Sequence, residues 1–243
     1  MDDDDFPFAS AIIPAAGDSS RLSGARRKPW LPLGGEMLVA RVVRLLKAVP
    51  AVAEIILAVH PDDENFARDE IGESLRQTGV DLIVVGGKTR AETVLNALQA
   101  TDANHEVVAI HDAARPFADR GMCNALCKMA RQGGAAIPVV PVCDSIKRVS
   151  ADRVVENVRR LGLMAAQTPQ CFKREILIDA YAYAAATGGI GEHITDDAGL
   201  VENYGREVRV ILGSANNFKI TTKEDWRRAE LLVKESSELK VES

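Results

Sequence analysis

The sequence predicts an α/β fold: a doubly wound, mostly parallel sheet that carries a protruding β-arm. Three observations lead there. Short apolar runs alternate with longer amphipathic stretches from the first residues onward, the pattern of strand–helix–strand units joined by right-handed crossovers. The alternation breaks once, between about residues 141 and 167, where two extended segments joined by a turn stand in place of the next unit. Finally, 243 residues with 47% hydrophobic content suffice to cover both faces of such a sheet in one large domain.

Taken in order, residues 11–14, 54–59, 81–85, 107–111 and 135–140 are near-continuous apolar runs of strand length, as expected of parallel strands buried on both faces. Residues 37–49 place Leu38, Val42, Leu45, Leu46 and Val49 on one helical face, and residues 89–100 do the same with Val94, Leu95 and Leu98. Residues 145–149 and 153–158, with a turn at 150–152, make the arm. A helix over 173–186, a Gly-rich loop, a helix from Thr195, strands at 208–212 and 218–221 and a last helix from Glu224 complete the chain. The expected organisation is a flexible acidic tail at 1–8, one domain at 9–235 with the arm at about 142–166, and a flexible tail at 236–243.

Thirty basic residues stand against thirty-five acidic ones, a formal charge of −5. There is no global basic field of the kind nucleic-acid binders use, and aromatics are only 5%. No nucleic-acid partner is expected. Cys123, Cys127, Cys143 and Cys171 form no C-x-x-C pair and meet no His at zinc-ligand spacing, which suits reduced thiols in a cytoplasmic protein. No apolar run approaches the roughly 20 residues of a membrane span, and the start is acidic where a signal peptide would be basic and then apolar.

In doubly wound sheets ligands sit at the carboxyl ends of the strands, so the loops there are where chemistry is sought. After the first strand, Pro14, Ala15, Ala16 and Gly17 form a small-residue turn that lets backbone N–H groups approach an anion. Arg21, Arg26, Arg27 and Lys28 follow with no acid among them. At that edge a triphosphate is a sensible ligand, although a solvated basic loop would carry the same charges. Gly17 opens no G-x-G-x-x-G, because Ser19 and Ser20 follow, and Lys88-Thr89 is no P-loop, because Leu82 stands where the first glycine belongs. After the fourth strand comes HDAARPF, residues 111–117. Asp112 there suits Mg²⁺ through hard carboxylate oxygens, or a loop held by an Asp112–Arg115 pair.

Together these segments resemble the bacterial 2-C-methyl-D-erythritol 4-phosphate cytidylyltransferase family of the non-mevalonate isoprenoid pathway. The resemblance runs from about residue 11 to 232 through PAAG with Arg21 and Lys28, Gly86-Gly87 with residues 90–94, HDAARP, PVCDSIK (141–147), QTPQCF (167–172), TDDAGLVE (195–202) and NFKITT (217–222). It implies a Rossmann-like nucleotidyltransferase fold, CTP and a small phosphorylated alcohol as substrates, and Mg²⁺ as cofactor. By the same resemblance Arg21 and Lys28 hold the triphosphate and stabilise the transition state. Pro14, Ala15, Ala16, Gly17, Gly87, Lys88 and Thr93 receive the nucleotide, with Thr93 where the family usually has serine. Asp112 and Asn216 attend the metal, Asn216 standing where relatives often carry an acid. Arg115, Ser145, Arg160, Thr195 and Lys219 hold the acceptor. In this family the arm crosses to a second subunit, so a homodimer is implied, with Ser145 and Arg160 completing the neighbour's site.

The attacking group would be a phosphate oxygen, already anionic, so none of the four histidines is required as a base and His111 is expected to orient its loop. The chain departs from the family at Ser19, Arg27-Lys28-Pro29 and Trp30, and KPWLPLGG (28–35) resembles sugar-phosphate nucleotidylyltransferases. Pro29 is expected to bias Lys28 towards an extended backbone. Competing readings are transfer to a pentitol phosphate such as ribitol 5-phosphate, a sugar-1-phosphate nucleotidylyltransferase, and a nucleotide-binding protein without turnover.

Overall fold

The structure is a computed structural model that describes residues 6–17, 26–188 and 195–238. Its centre is an eight-stranded sheet. Strands β1 (Ala9–Ala15), β4 (Val52–Val59), β5 (Leu82–Val85) and β6 (Val107–Ile110) run parallel, in the spatial order β6-β1-β4-β5. Beyond β6 the antiparallel β11 (Gln170–Lys173) joins it to β7 (Ala135–Pro141). β7 also pairs with β10 (Met164–Ala166), antiparallel, and with β12 (Arg209–Leu212), parallel. The mostly parallel α/β expectation therefore holds, with β10 and β11 as the antiparallel exceptions.

Period-two alternation explains how the sheet is covered. In β1, Ala11 and Ile13 belong to one apolar cluster with Val42, Leu46 and Leu126, while Ile12 between them belongs to the other with Val94, Leu98, Leu177 and Val201. The first face is covered by α1 (Leu38–Lys47), α2 (Gly72–Thr78) and α4 (Arg120–Gly133), the second by α3 (Arg90–Gln99), α5 (Arg174–Thr187) and α6 (Asp197–Asn203). A smaller cluster of Leu33, Leu38, Ile220, Ala229 and Val233 seats α7 (Lys223–Glu238). That cluster ties the 219–221 segment to the body.

Neither α2 nor α4 is among the sequence expectations. α4 is well signalled: the Asp119 side chain accepts from the N–H of Met122 at 2.7 Å, and Cys123, Leu126, Cys127 and Ala130 bury one face. The short pair β2 (Pro32–Leu33) and β3 (Glu36–Met37) is also new. The strand expected at 218–221 does not form. Its recorded backbone tie is the Ile220 N–H to the Ala114 carbonyl at 2.9 Å, because the segment edges a cavity instead of a neighbouring strand. Lys28 is not extended either. It opens a 3-10 turn, Lys28–Trp30, in which the N–H groups of Trp30 and Leu31 donate to the carbonyls of Arg27 and Lys28, and the extended residue is Arg27, with ψ 152°. Those two bonds and the burial of Trp30 outweigh the bias of a residue before proline.

The arm is a separate two-stranded sheet, β8 (Ile146–Ser150) with β9 (Arg153–Val158), whose register shifts between Arg148 and Val149. Its apolar residues are uncovered within one chain: Val149, Val154 and Val155 are all more than half exposed, and Leu161 beyond them is 75% exposed.

Candidate active site

The carboxyl ends of β6, β1, β4 and β5 frame a cavity of about 570 Å³, within the range of small-molecule sites. Pro14 to Gly17 come from the end of β1, His60 and Pro61 from β4, Gly86 to Thr89 from β5, and Asp112 to Ala114 from β6. Lys28, Pro29, Lys219 and Thr221 close it. The loops after β1 and β5 meet only because Gly86 has no side chain: a Cβ there would lie 2.4 Å from the Cβ of Ala16. Gly87 is equally constrained, since its Cβ would lie 2.2 Å from that of Glu92. Only glycine at both positions lets this wall of the cavity close up against Ala16 and Glu92.

The start of α3 organises the same wall. The Thr89 hydroxyl oxygen accepts from the Glu92 N–H at 3.0 Å, and the Glu92 carboxylate accepts from the Lys88 N–H at 2.7 Å. The Thr93 hydroxyl donates to the Thr89 carbonyl at 2.9 Å and accepts from the Gly87 N–H at 3.1 Å. It lines the cavity with its proton already placed.

Opposite lies a cluster of charge. Lys219 Nζ is 3.0 Å from Asp112 Oδ2, and Arg115 Nε donates to the same oxygen at 3.3 Å. Burial would raise the pKa of Asp112, but Lys219, Arg90 and Arg115 together prevail and hold it at about 2. Arg90, at the first turn of α3, pairs at 2.6 Å with Asp197, whose side chain is 1% exposed and also accepts from the Tyr181 hydroxyl at 2.8 Å. Burial would lower the pKa of Arg90, yet Asp197 more than offsets it, so the guanidinium stays a fixed cation. Lys28 Nζ donates to the Ile220 carbonyl at 2.8 Å, which ties the first loop to the 219–221 segment.

His111 sits behind this cluster, fully buried, and burial pushes its pKa down to about 4. It is neutral at pH 7, so one ring nitrogen donates and the other accepts. The Arg115 carbonyl can only accept, which assigns the proton to Nε2, 2.9 Å away. Nδ1 then accepts from the Thr168 hydroxyl at 3.0 Å, and the Thr168 oxygen accepts from the Asp112 N–H at 3.0 Å. Both nitrogens are occupied, so His111 pins the HDAARP loop and has no capacity to act as a base.

Of the residues singled out in the sequence, Pro14, Ala15, Ala16, Gly17, Lys28, Gly87, Lys88, Thr93, Asp112 and Lys219 line the one cavity, and Arg115 lies against Asp112 just outside the lining. Arg21 lies outside the described residues. Asn216 is exposed, its N–H on the Ser214 hydroxyl, and it does not line the cavity. Thr195 is exposed immediately before Asp196, the cap of α6. Ser145 and Arg160 are exposed beside and beyond the arm, where the Arg160 guanidinium donates to the Cys143 carbonyl. None of these three lines the cavity of its own chain. Sequence reasoning assigned no role to Arg90, Asp197 or Thr168, although each stands in a quoted motif.

The described residues hold no group of three His, Cys, Asp or Glu side chains able to bind a metal by themselves. Asp112 supplies one hard carboxylate at the cavity, which suits a divalent cation that takes its other ligands from substrate phosphates and water. Cytidylyltransferases generally use such a cation.

Comparison with known proteins agrees with this geometry. A family model described as "IspD: 2-C-methyl-D-erythritol 4-phosphate cytidylyltransferase" matches residues 9–235. The chain is 41% identical over 229 residues to 2-C-methyl-D-erythritol 4-phosphate cytidylyltransferase of Symbiobacterium thermophilum, covering 94% of each. Among solved structures it is similar to the enzyme of that name from Thermus thermophilus, with a TM-score of 0.76 and 32% identity over 93% of this chain and 98% of that one. It is also similar to 4-diphosphocytidyl-2C-methyl-D-erythritol synthase of Anaerococcus prevotii, with a TM-score of 0.78 and 31% identity over 94% and 96%.

Proposed function

The chain belongs to the 2-C-methyl-D-erythritol 4-phosphate cytidylyltransferase family, and we propose that it transfers CMP from CTP to 2-C-methyl-D-erythritol 4-phosphate, releasing pyrophosphate and forming 4-diphosphocytidyl-2-C-methyl-D-erythritol for isoprenoid precursor synthesis in the cytoplasm. The observation that carries the reading is the cavity itself: the Gly86-Gly87 wall and Lys28 line it together with Lys219 and Arg90, and Lys219 and Arg115 meet on the Asp112 carboxylate. The wall suits a base read by backbone groups, and the cations suit a triphosphate.

A phosphate oxygen of the acceptor attacks the α-phosphorus, the new P–O bond forms, and the bond to the β-phosphate bridging oxygen breaks in line as pyrophosphate departs. The nucleophile is already an anion, so no base is needed, which agrees with a His111 that is neutral and fully hydrogen-bonded. Lys28, with Arg21, stabilises charge accumulating on the phosphates, and preorganised donors of this kind give about 10²- to 10³-fold each. Asp112 would hold Mg²⁺, which when bound would supply neutralisation of the triphosphate charge. Lys219 holds Asp112 in place and reaches the acceptor beside Arg115 and Thr195.

Ser145 and Arg160 reach the site of a second subunit in a homodimer formed through the arm. The uncovered Val149, Val154, Val155 and Leu161 support that burial. The test is pyrophosphate release with 2-C-methyl-D-erythritol 4-phosphate, ribitol 5-phosphate or a sugar 1-phosphate against CTP, UTP, GTP and ATP. Turnover confined to CTP with the methylerythritol phosphate is the expected result. Preference for another acceptor assigns the chain to that chemistry, and nucleotide binding without turnover under any pairing refutes the enzyme.

A further inference from the structure

The residues that flank Lys28 are committed to a contact which the proposed reaction does not use. Of the cations in the first loop, two of the described ones are held by the acids and the ring of the segment after β4. Arg27 donates through one terminal nitrogen to Asp63 Oδ1 and through the other to Asp62 Oδ2, both at 2.8 Å. Trp30, 4% exposed, donates its indole N–H to Asp63 Oδ2 at 2.8 Å and sets its ring edge-on to Phe66, with centroids 5.4 Å apart. The Arg26 guanidinium lies over the same Phe66 ring, 3.9 Å from its centroid.

Asp63 thus holds Arg27 with one oxygen and Trp30 with the other, and the two residues between them are Lys28 and Pro29. The turn is gripped on both sides of the cation. The grip comes from the segment after β4, whose His60 and Pro61 themselves line the cavity.

We propose that Asp63 is a positioning residue for Lys28: by bridging Arg27 and Trp30 it fixes the 3-10 turn against the β4 loop and so aims the Lys28 ammonium at the triphosphate. The inference rests on the function proposed above. Arg26 and Arg27 serve the latch, and of the described cations in the loop Lys28 serves the phosphates. Precise placement of a reacting group matters steeply, since a displacement of about 1 Å can cost about 10²-fold in rate.

The test is a double-mutant cycle on the full chain, with wild-type turnover of CTP and 2-C-methyl-D-erythritol 4-phosphate as the control that keeps the functional reading separate. A wild type without turnover sinks that reading; the cycle judges the latch only once turnover is established. Asp63→Ala is expected to lower kcat about 10- to 100-fold with KM for CTP changed much less, and to have little further effect in a Lys28→Ala background, because it acts through that side chain. Trp30→Phe keeps a six-membered ring beside Phe66 and removes the indole N–H together with its five-membered ring, so it breaks the same bridge from the other side and is expected to lower kcat several-fold, again only when Lys28 is present. Equal losses with and without Lys28, or an unchanged kcat in folded Asp63→Ala and Trp30→Phe, overturn the proposal.

Discussion

Replacing Thr168 by valine keeps the size and branching of the side chain and removes one hydroxyl. That hydroxyl is the link between two buried groups: it accepts from the Asp112 N–H and donates to His111 Nδ1, each at 3.0 Å. Without it both lose their partner, and a change of His111 tautomer cannot help, because Nε2 is committed to the Arg115 carbonyl. Each buried group left unsatisfied costs about 1–3 kcal/mol. The variant is therefore expected to lose about 2–6 kcal/mol, a large part of the roughly 5–15 kcal/mol by which domains are stable. Thr168→Ser, which keeps the hydroxyl, should stay within about 1 kcal/mol of wild type. Urea unfolding at pH 7 followed by circular dichroism measures both. A Thr168→Val protein within about 0.5 kcal/mol of wild type would refute the hydrogen-bond chain behind Asp112 and, with it, the assignment of His111 as a pin.

His111 also sets a pH dependence. Its folded pKa of about 4 lies below the ordinary value of 6.5, so the unfolded chain binds the extra proton first, and stability present above pH 6.5 is lost as pH falls towards 4, by about 2–3 kcal/mol. Denaturant midpoints for wild type at pH 7 and 4.5 against those of His111→Gln should show the slope in the first and a smaller one in the second. Gly86→Ala forces a Cβ to 2.4 Å from that of Ala16, so the β1 and β5 loops must part; calorimetry should find CTP affinity down at least about 10-fold, about 1.4 kcal/mol. Asp197→Asn removes the charge that holds Arg90 at 2.6 Å. Because Arg90 is a third exposed, the loss should be near the lower end of the about 3–5 kcal/mol for broken buried pairs, measured by urea unfolding.

Much of this site is legible from the chain alone where the signal is local. PAAG, Gly86-Gly87 and HDAARP sit at strand ends that alternation predicts, and the structure brings them to one cavity. What the sequence hides is the use of charge. Arg26, Arg27 and Lys28 are adjacent and chemically alike, yet the first two turn to Phe66 and to Asp62 and Asp63, partners some 35–40 positions on, which no local pattern reveals. Arg90 and Asp197 likewise meet only through the packing of α3 and α6 on one sheet face. The missed α4 is different, because the Asp119 cap and the spacing of Cys123, Leu126, Cys127 and Ala130 were there to be read. The expected strand at 218–221 failed because a short apolar-and-polar alternation fits a cavity edge as well as a sheet edge.

The central claim is that fixed cations, with no protein base, carry the transfer. The rate of pyrophosphate release in a single turnover of saturating CTP and 2-C-methyl-D-erythritol 4-phosphate, compared between wild type and Lys28→Ala, tests it most directly. The account predicts a loss of about 10²- to 10³-fold in a variant whose unfolding midpoint stays close to wild type. Near-normal turnover by Lys28→Ala would contradict it.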